Sequence, residues 1–88
     1  MKHNVKTEED FIMQIGQAIG CRIQELCKER GITVHRLATL AKVPASTVYD
    51  LVNGKTSDPW LTTILPLCGP LHVTPGEFFY GVDAFLRL

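Results

Sequence analysis

The sequence contains no apolar run that approaches the roughly 20 residues needed to cross a bilayer. It also shows no secretory signal, because residues 1–10 are polar and of mixed charge rather than apolar. Its 88 residues suffice for one hydrophobic core but not for two. We therefore expect a single soluble domain (1–88) in the cytoplasm, with no membrane association, a core at about residues 8–80 and an apolar tail at 81–88.

Cysteine is scarce, and its spacing argues against the usual structural uses. Cys21, Cys27 and Cys68 are odd in number and include no short Cys-x-x-Cys pair, which speaks against a disulfide framework and a zinc site. Cys27 and Cys68 fall on apolar faces of helical patterns, where we expect buried, small hydrophobic side chains. Because the histidines are also scattered, we expect neither a metal nor a cofactor.

Groupings that catalyse reactions are missing too. The sequence shows no nucleophile–base set, no paired carboxylates and no glycine-rich phosphate loop. A chain of this length is also too short to enclose a pocket of catalytic size. We therefore expect that the protein is not an enzyme and has no small-molecule ligand.

An excess of charge of either sign is absent, since nine basic residues balance nine acidic ones. The distribution is nevertheless uneven: residues 20–57 hold six basic and three acidic side chains, and the flanks hold the compensating acids. This pattern is compatible with one modestly basic face. If that face binds nucleic acid, non-specific affinity should be weak and its salt dependence shallow.

Apolar residues, in contrast, recur at three- and four-residue steps along almost the whole chain, which predicts an all-α fold. The pattern breaks at Gly31 and near residues 42–44, 54–59, 69–70 and 73–76, so we expect five helices.

The first predicted helix starts near Glu8 and ends at Gly31. Its apolar stripe begins at Phe11. Gly16 and Gly20 lie inside it, and each costs about 1 kcal/mol relative to alanine. They leave open a frayed end, a kink or a close contact with another helix.

Two further short helices, joined by a tight turn, are predicted within residues 33–53, as in a helix-turn-helix. Thr33 is suited to cap the earlier helix, and Pro44 suits the first position of the later one, which should end at Asn53-Gly54. The remaining requirements are met by residues that face the core, namely Leu37, Ala38, Ala41, Val43, Val48, Leu51 and Val52.

The last two helices carry clear start signals. Asp58-Pro59 should open the fourth helix, in which Pro66 predicts a kink or an early end. Thr74, Pro75 and Glu77 form a predicted capping box at the start of the fifth helix.

About residues 15–80 together resemble the Cro/C1-type (XRE-like, lambda repressor-like) helix-turn-helix family. The resemblance rests on the ordered combination of these segments: 22–33 (RIQELCKERGIT), 37–38 (LA), 43–48 (VPASTV), 53–55 (NGK), 58–61 (DPWL) and 73–79 (VTPGEFF). It implies a five-helix domain of a small bacterial or phage-type transcriptional regulator. Such a protein would bind specific double-stranded DNA, most often as a repressor, with its third helix in the major groove.

The resemblance also implies roles for individual residues. Ala45, Ser46 and Tyr49 occupy base-reading positions, with Ala45 limited to an apolar contact such as a thymine methyl. Phosphate contacts are implied for Arg36, Lys42, Thr47, Asn53, Lys55 and Thr56.

Two positions depart from the family pattern. Val34 stands where the family often has a glutamine that anchors a phosphate. Lys42 stands where a turn glycine is common, at a cost of about 1 kcal/mol if its backbone is left-handed.

Other interpretations of these residues remain open. Tyr49 could be partly buried, Lys42 and Lys55 could be solvated surface charges, and Arg36 could form an intramolecular salt bridge. Asp50 would repel DNA unless it points sideways or accepts from a cytosine amine. Neutral charge, Val34, Ala45 and Asp50 also keep open a protein-interaction module on the same fold, with little or no DNA binding.

Domains of this fold commonly bind as two-fold dimers, so we expect a homodimer. The candidate dimer surface consists of Trp60, Phe85, Leu86 and Leu88. The alternative is that the apolar tail folds back onto its own core.

Overall fold

The computed structural model describes residues 8–55 and 61–86, with the side chains of residues 8–10, 12, 13 and 61 excepted. Five α-helices follow one another, and the fifth continues into a single 3₁₀ turn, η1. Their bounds are α1 Glu8–Arg30, α2 Val34–Ala41, α3 Ala45–Val52, α4 Leu61–Leu71, α5 Pro75–Val82 and η1 Asp83–Phe85. The described residues contain no strand, and the predicted all-α, five-helix fold is confirmed. No helix among them is long and apolar enough to span a membrane.

Every helix contributes to one hydrophobic core. Each donates one side chain with no exposed surface, and these are Ile23, Leu37, Val48, Leu67 and Phe78. Burying a side chain of this size is worth about 1.5–3 kcal/mol. No charged or polar residue of the described part is buried with them. The arrangement explains why short helices of eight residues are stable here although isolated ones would not be.

Four helices end in the same way. Gly31, Lys42, Gly54 and His72 have left-handed backbones, with φ between 60° and 69°. In each case the N–H of the next residue donates to a carbonyl five residues earlier, over 2.9–3.1 Å. This hydrogen-bonded ending satisfies carbonyls that the helix leaves unpaired and turns the chain sharply. The left-handed backbone of Lys42 was expected, whereas that of His72 was not.

Gly20 is the point where α3 rests on α1. A Cβ atom at this position would collide with the carbonyl oxygen of Leu51 and would lie 2.8 Å from that of Val52. Of the interpretations left open for Gly20, the close helix contact is therefore confirmed. The contact sets the end of α3 directly against the backbone of α1.

Arg22 joins α1 to α5. Its Nε donates to the carbonyl of Phe78 over 3.0 Å, its Nη2 donates to that of Glu77 over 2.8 Å, and its Nη1 binds Glu25 over 2.7 Å. The guanidinium passes over Gly81 so closely that a Cβ atom there would overlap it. We call this arrangement the Arg22 latch; it holds the first turn of α5 in place.

The structure corrects the predicted course of α4. The helix runs through Pro66 and Pro70 as far as Leu71, so the early end at Pro66 and the break at residues 69–70 are wrong. Proline removes one backbone hydrogen bond, but the apolar face of the helix stays buried on both sides of it. The break instead occurs at His72. The predicted opening of α4 at Asp58-Pro59 lies outside the described residues.

Two smaller differences concern helix starts and the apolar stripe. α3 begins at Ala45, so Pro44 is its N-cap rather than its first residue. Phe11 was placed on the apolar stripe of α1 but is 38% exposed. The capping box of α5, by contrast, is confirmed, with Thr74 and Glu77 bonded in both directions.

Candidate nucleic-acid interface

The helix-turn-helix is built from α2, three linking residues and α3. The side chain of Thr33 caps α2 by accepting from the N–H of Arg36 over 3.0 Å. After Lys42 has turned the chain, the N–H of Val43 donates to the carbonyl of Ala38 over 3.1 Å. Pro44 is the N-cap residue of α3, and its carbonyl accepts the first helical hydrogen bonds, from the N–H groups of Thr47 and Val48. The turn is therefore fixed by backbone hydrogen bonds at both ends.

α3 has one buried and one uncovered face. Val48 and Leu51 are 0% and 2% exposed and point into the core. Among the described elements, α3 packs on α1 and α2 alone. Its opposite face carries Ser46, Tyr49 and Asp50, all exposed. An eight-residue helix presented in this manner is of the right thickness for a groove about 12 Å wide.

The three expected base readers are not equivalent. Ser46 is exposed, and Tyr49 is 42% exposed, so the interpretation of Tyr49 as a partly buried residue stays open beside its role as a base reader. Ala45 is half-buried and packs against the core. It therefore presents less of its surface outward than the other two.

The expected phosphate-contacting residues surround α3. Lys42 lies in the turn before it, Asn53 and Lys55 lie just after it, and all three are exposed. Thr47 is half-buried in its first turn. Thr56 lies outside the described residues. The structure thus brings cationic side chains to both ends of the helix that carries Ser46 and Tyr49.

Arg36 is exposed on α2. Its side chain makes no hydrogen bond or ion pair with any residue that the structure describes. The one ion pair among these residues is that of Arg22 with Glu25. The intramolecular salt bridge that we left open for Arg36 therefore does not form among these residues. Within the described residues nothing competes with an external anion for its guanidinium.

The amino end of α3 differs from those of α2 and α5. Both of the latter are capped by a threonine side chain, whereas Pro44 gives α3 no side-chain cap. Amide groups in the first turn of a helix need partners from elsewhere when no side chain supplies them.

Val34, which replaces the expected glutamine anchor, is half-buried and packs against the core. A polar anchor at that position is therefore replaced by an apolar contact.

Two of the three cysteines lie in the core of the described structure. Burial raises the pKa of the Cys27 and Cys68 thiols, which keeps them neutral and unreactive. Cys21 is exposed. In residues 8–55 and 61–86 no group of three histidine, cysteine or acidic side chains is placed to hold a metal ion.

The described part of the apolar tail, residues 81–86, packs on its own domain. Val82 is 5% exposed, and Phe85 and Leu86 are partly buried against the core. This arrangement is the alternative that we left open for the tail. Phe85 and Leu86 therefore offer only part of their surface to a second copy, while Trp60 and Leu88 lie outside the described residues.

Comparison with known proteins adds family and fold. The family described as the Cro/C1-type HTH DNA-binding domain matches residues 22–83, most of the chain. Prophage Lp1 protein 11 is 32% identical, with a TM-score of 0.63 over 85% of this chain and 90% of that one. The clp gene regulator ClgR from Corynebacterium glutamicum has the same fold, with a TM-score of 0.75 at 15% identity over 83% of this chain and 92% of that one. Among curated proteins, none is similar enough to count as a match.

Proposed function

The chain belongs to the Cro/C1-type HTH DNA-binding domain family, and on that premise we propose that it represses transcription by binding a specific double-stranded DNA sequence with α3 in the major groove. The observation that carries this proposal is the exposure of Ser46 and Tyr49 on a helix whose other face is buried. Lys42 and Lys55 stand at the two ends of that helix, where phosphates pass on either side of a groove. That ClgR is described as a gene regulator is in keeping with this role.

The residues then divide between sequence reading and positioning. Tyr49 is the largest exposed group on α3 and the main source of discrimination, while Ser46 bonds to base edges and Ala45 touches a thymine methyl. Contacts to phosphates fix the register. They come from Arg36, Lys42, Thr47, Asn53, Lys55 and Thr56.

We further propose that two copies bind one two-fold site, with half-sites about 34 Å apart. The modest basic excess of residues 20–57 supports this, because a single copy neutralises few phosphates. Trp60, Phe85, Leu86 and Leu88 remain the candidate dimer surface, with Phe85 and Leu86 contributing what the fold leaves exposed.

Selection of bound sequences from a random DNA library tests the proposal, and the affinity for the selected site is then measured for variants. Tyr49→Ala should weaken binding about 5- to 150-fold, the range expected for one specific base contact. Tyr80→Ala is the matched control, since Tyr80 is 83% exposed on α5, which does not contact α3. Failure to enrich any sequence, together with no binding at low salt, would overturn the proposal.

A second candidate is a protein-interaction module without DNA binding. Asp50, exposed on α3, and Val34, committed to the core, favour it. A gel-shift series at low salt separates the two candidates, because a DNA-binding domain retains non-specific affinity for phosphates that a protein-interaction module lacks.

A further inference from the structure

A second uncovered feature is a groove between α1 and α5, with a volume of about 560 Å³. Leu26 and Val73 provide an apolar floor, 3% exposed and half-buried respectively. Glu29 lies on the α1 side, and Glu77 and Tyr80 lie on the α5 side. Because α5 makes no contact with α3, an occupant of this α1–α5 groove would leave the exposed face of α3 free.

The charge of the α1–α5 groove is negative. Arg22 is the one cation among its lining residues, and its guanidinium is already bound to Glu25 and to two carbonyls of α5. One carboxylate oxygen of Glu77, Oε1, accepts a hydrogen bond from the N–H of Thr74, so the other oxygen remains available. Glu29 is exposed and has no hydrogen bond or ion pair within the part of the chain that the structure describes. Two carboxylates therefore face the groove, and the Arg22 charge is not free to neutralise them.

Besides the apolar floor and the two carboxylates, the groove has an aromatic ring, that of Tyr80. It is 83% exposed, the most exposed large hydrophobic residue of those described, although nothing in the fold demands an aromatic ring there. Tyrosine rings are enriched where one protein binds another. An arginine side chain would complement all parts of the groove. Its methylene stem would cover the apolar floor, its guanidinium would meet the carboxylates, and its flat face would stack on the ring.

We propose that the α1–α5 groove docks an arginine side chain of a protein partner. Charge complementarity carries the choice of occupant, and the ring of Tyr80 favours arginine over lysine. The proposal does not rest on the proposed DNA binding. A partner held in the groove would remain attached whether or not α3 is occupied.

The probe is a blocked tripeptide, acetyl-Gly-Arg-Gly-amide, titrated into the ¹⁵N-labelled protein. We expect amide shifts at Glu29, Thr74, Gly76 and Tyr80, which line or adjoin the groove. The citrulline peptide has the same shape without the charge and should cause none of them. The lysine peptide should bind more weakly. Shifts spread over all exposed acids, no shifts at all, or equal binding of all three peptides would overturn the proposal.

Variants at exposed positions test which groups hold the peptide. Glu29→Gln and Tyr80→Ala should each raise the Kd about two- to fivefold, as expected for an exposed ion pair and a cation–π contact. Glu77 is avoided because it belongs to the capping box of α5. Asp83→Asn is the control, because Asp83 is exposed in η1 outside the groove. The substitution removes the same charge as Glu29→Gln. An equal loss of affinity in this control would show general attraction to acids and would overturn the proposal.

Discussion

α2–α3 and α4–α5 are two helix pairs built on the same turn. In each pair the first helix ends at a left-handed residue that is not glycine, Lys42 or His72, and a valine then donates back across the turn. The difference is one residue: Thr74 is inserted before Pro75, whereas Pro44 follows its valine directly. Thr74 makes a capping box for α5, and α3 is left without a side-chain cap. A cap is worth about 1 kcal/mol, so α3 forgoes stability that α5 retains.

The two pairs also differ in how the second helix is held. α5 is fastened by a side chain, the Arg22 latch, while α3 rests backbone against backbone at Gly20. The comparison suggests that α5 is built for stability. α3 is instead built to be held in place while its outer face and amino end stay free. Three sets of substitutions test this distinction.

The largest effect is expected at Gly20. Gly20→Ala places a Cβ against the carbonyls of Leu51 and Val52, which cannot move as a flexible side chain could. We expect a loss of about 2–3 kcal/mol in unfolding free energy, measured by urea denaturation. Gly69→Ala is the control, because no described atom outside its own stretch of α4 lies within 4 Å of an added Cβ, and it should be neutral or stabilising. Equal stability of the two variants would contradict the backbone contact.

A smaller loss is expected when the Arg22 latch is broken. Arg22→Met keeps the apolar stem but removes the hydrogen bonds to Glu77 and Phe78, which should cost about 2 kcal/mol. Gly81→Ala should displace the same guanidinium. The double variant should therefore lose less stability than the two single variants together. A double-mutant cycle measured by thermal unfolding tests this. Strict additivity would mean that Arg22 and Gly81 act separately.

The smallest effects separate the two turns. Lys42→Gly and His72→Gly each relieve a left-handed side chain, and each should gain about 0.5–1 kcal/mol of stability. Their effects on DNA affinity should differ. Lys42→Gly should weaken binding and lower its salt dependence, because a phosphate contact is lost, whereas His72→Gly should leave both unchanged. Equal DNA affinity of the two variants would argue against the role proposed for Lys42.

Local signals were enough to predict much of this architecture. Thr33, the capping box at Thr74 and the left-handed ends at Gly31 and Lys42 act within a few residues, so their effects can be inferred from neighbouring sequence. The exposure of Ser46 and Tyr49 follows equally from the inward spacing of Val48 and Leu51.

Features that depend on distant partners could not be predicted in this way. The Arg22 latch joins Arg22 to Glu77 and Phe78, which follow it by 55 and 56 positions in the chain. Passage of α4 through Pro66 depends on the burial of its apolar face, which outweighs a missing hydrogen bond only in the folded protein. His72 is neither glycine nor asparagine, the residue types that most often mark a left-handed helix end. Ala45 turned partly inward for the same reason, since its packing is set by the whole core.

The Gly20 contact has a mechanical consequence. Where helices touch through side chains, rotamer changes let one slide or tilt slightly against the other. Here the end of α3 packs directly on the backbone of α1 at Gly20, with no side chain between them whose rotamer change would allow such movement. α1 spans 23 residues and therefore serves as a stiff beam that carries the shorter helix. Thermal motion should displace the two as one body, so that the orientation of the outer face of α3 is as well defined as the longest element of the fold.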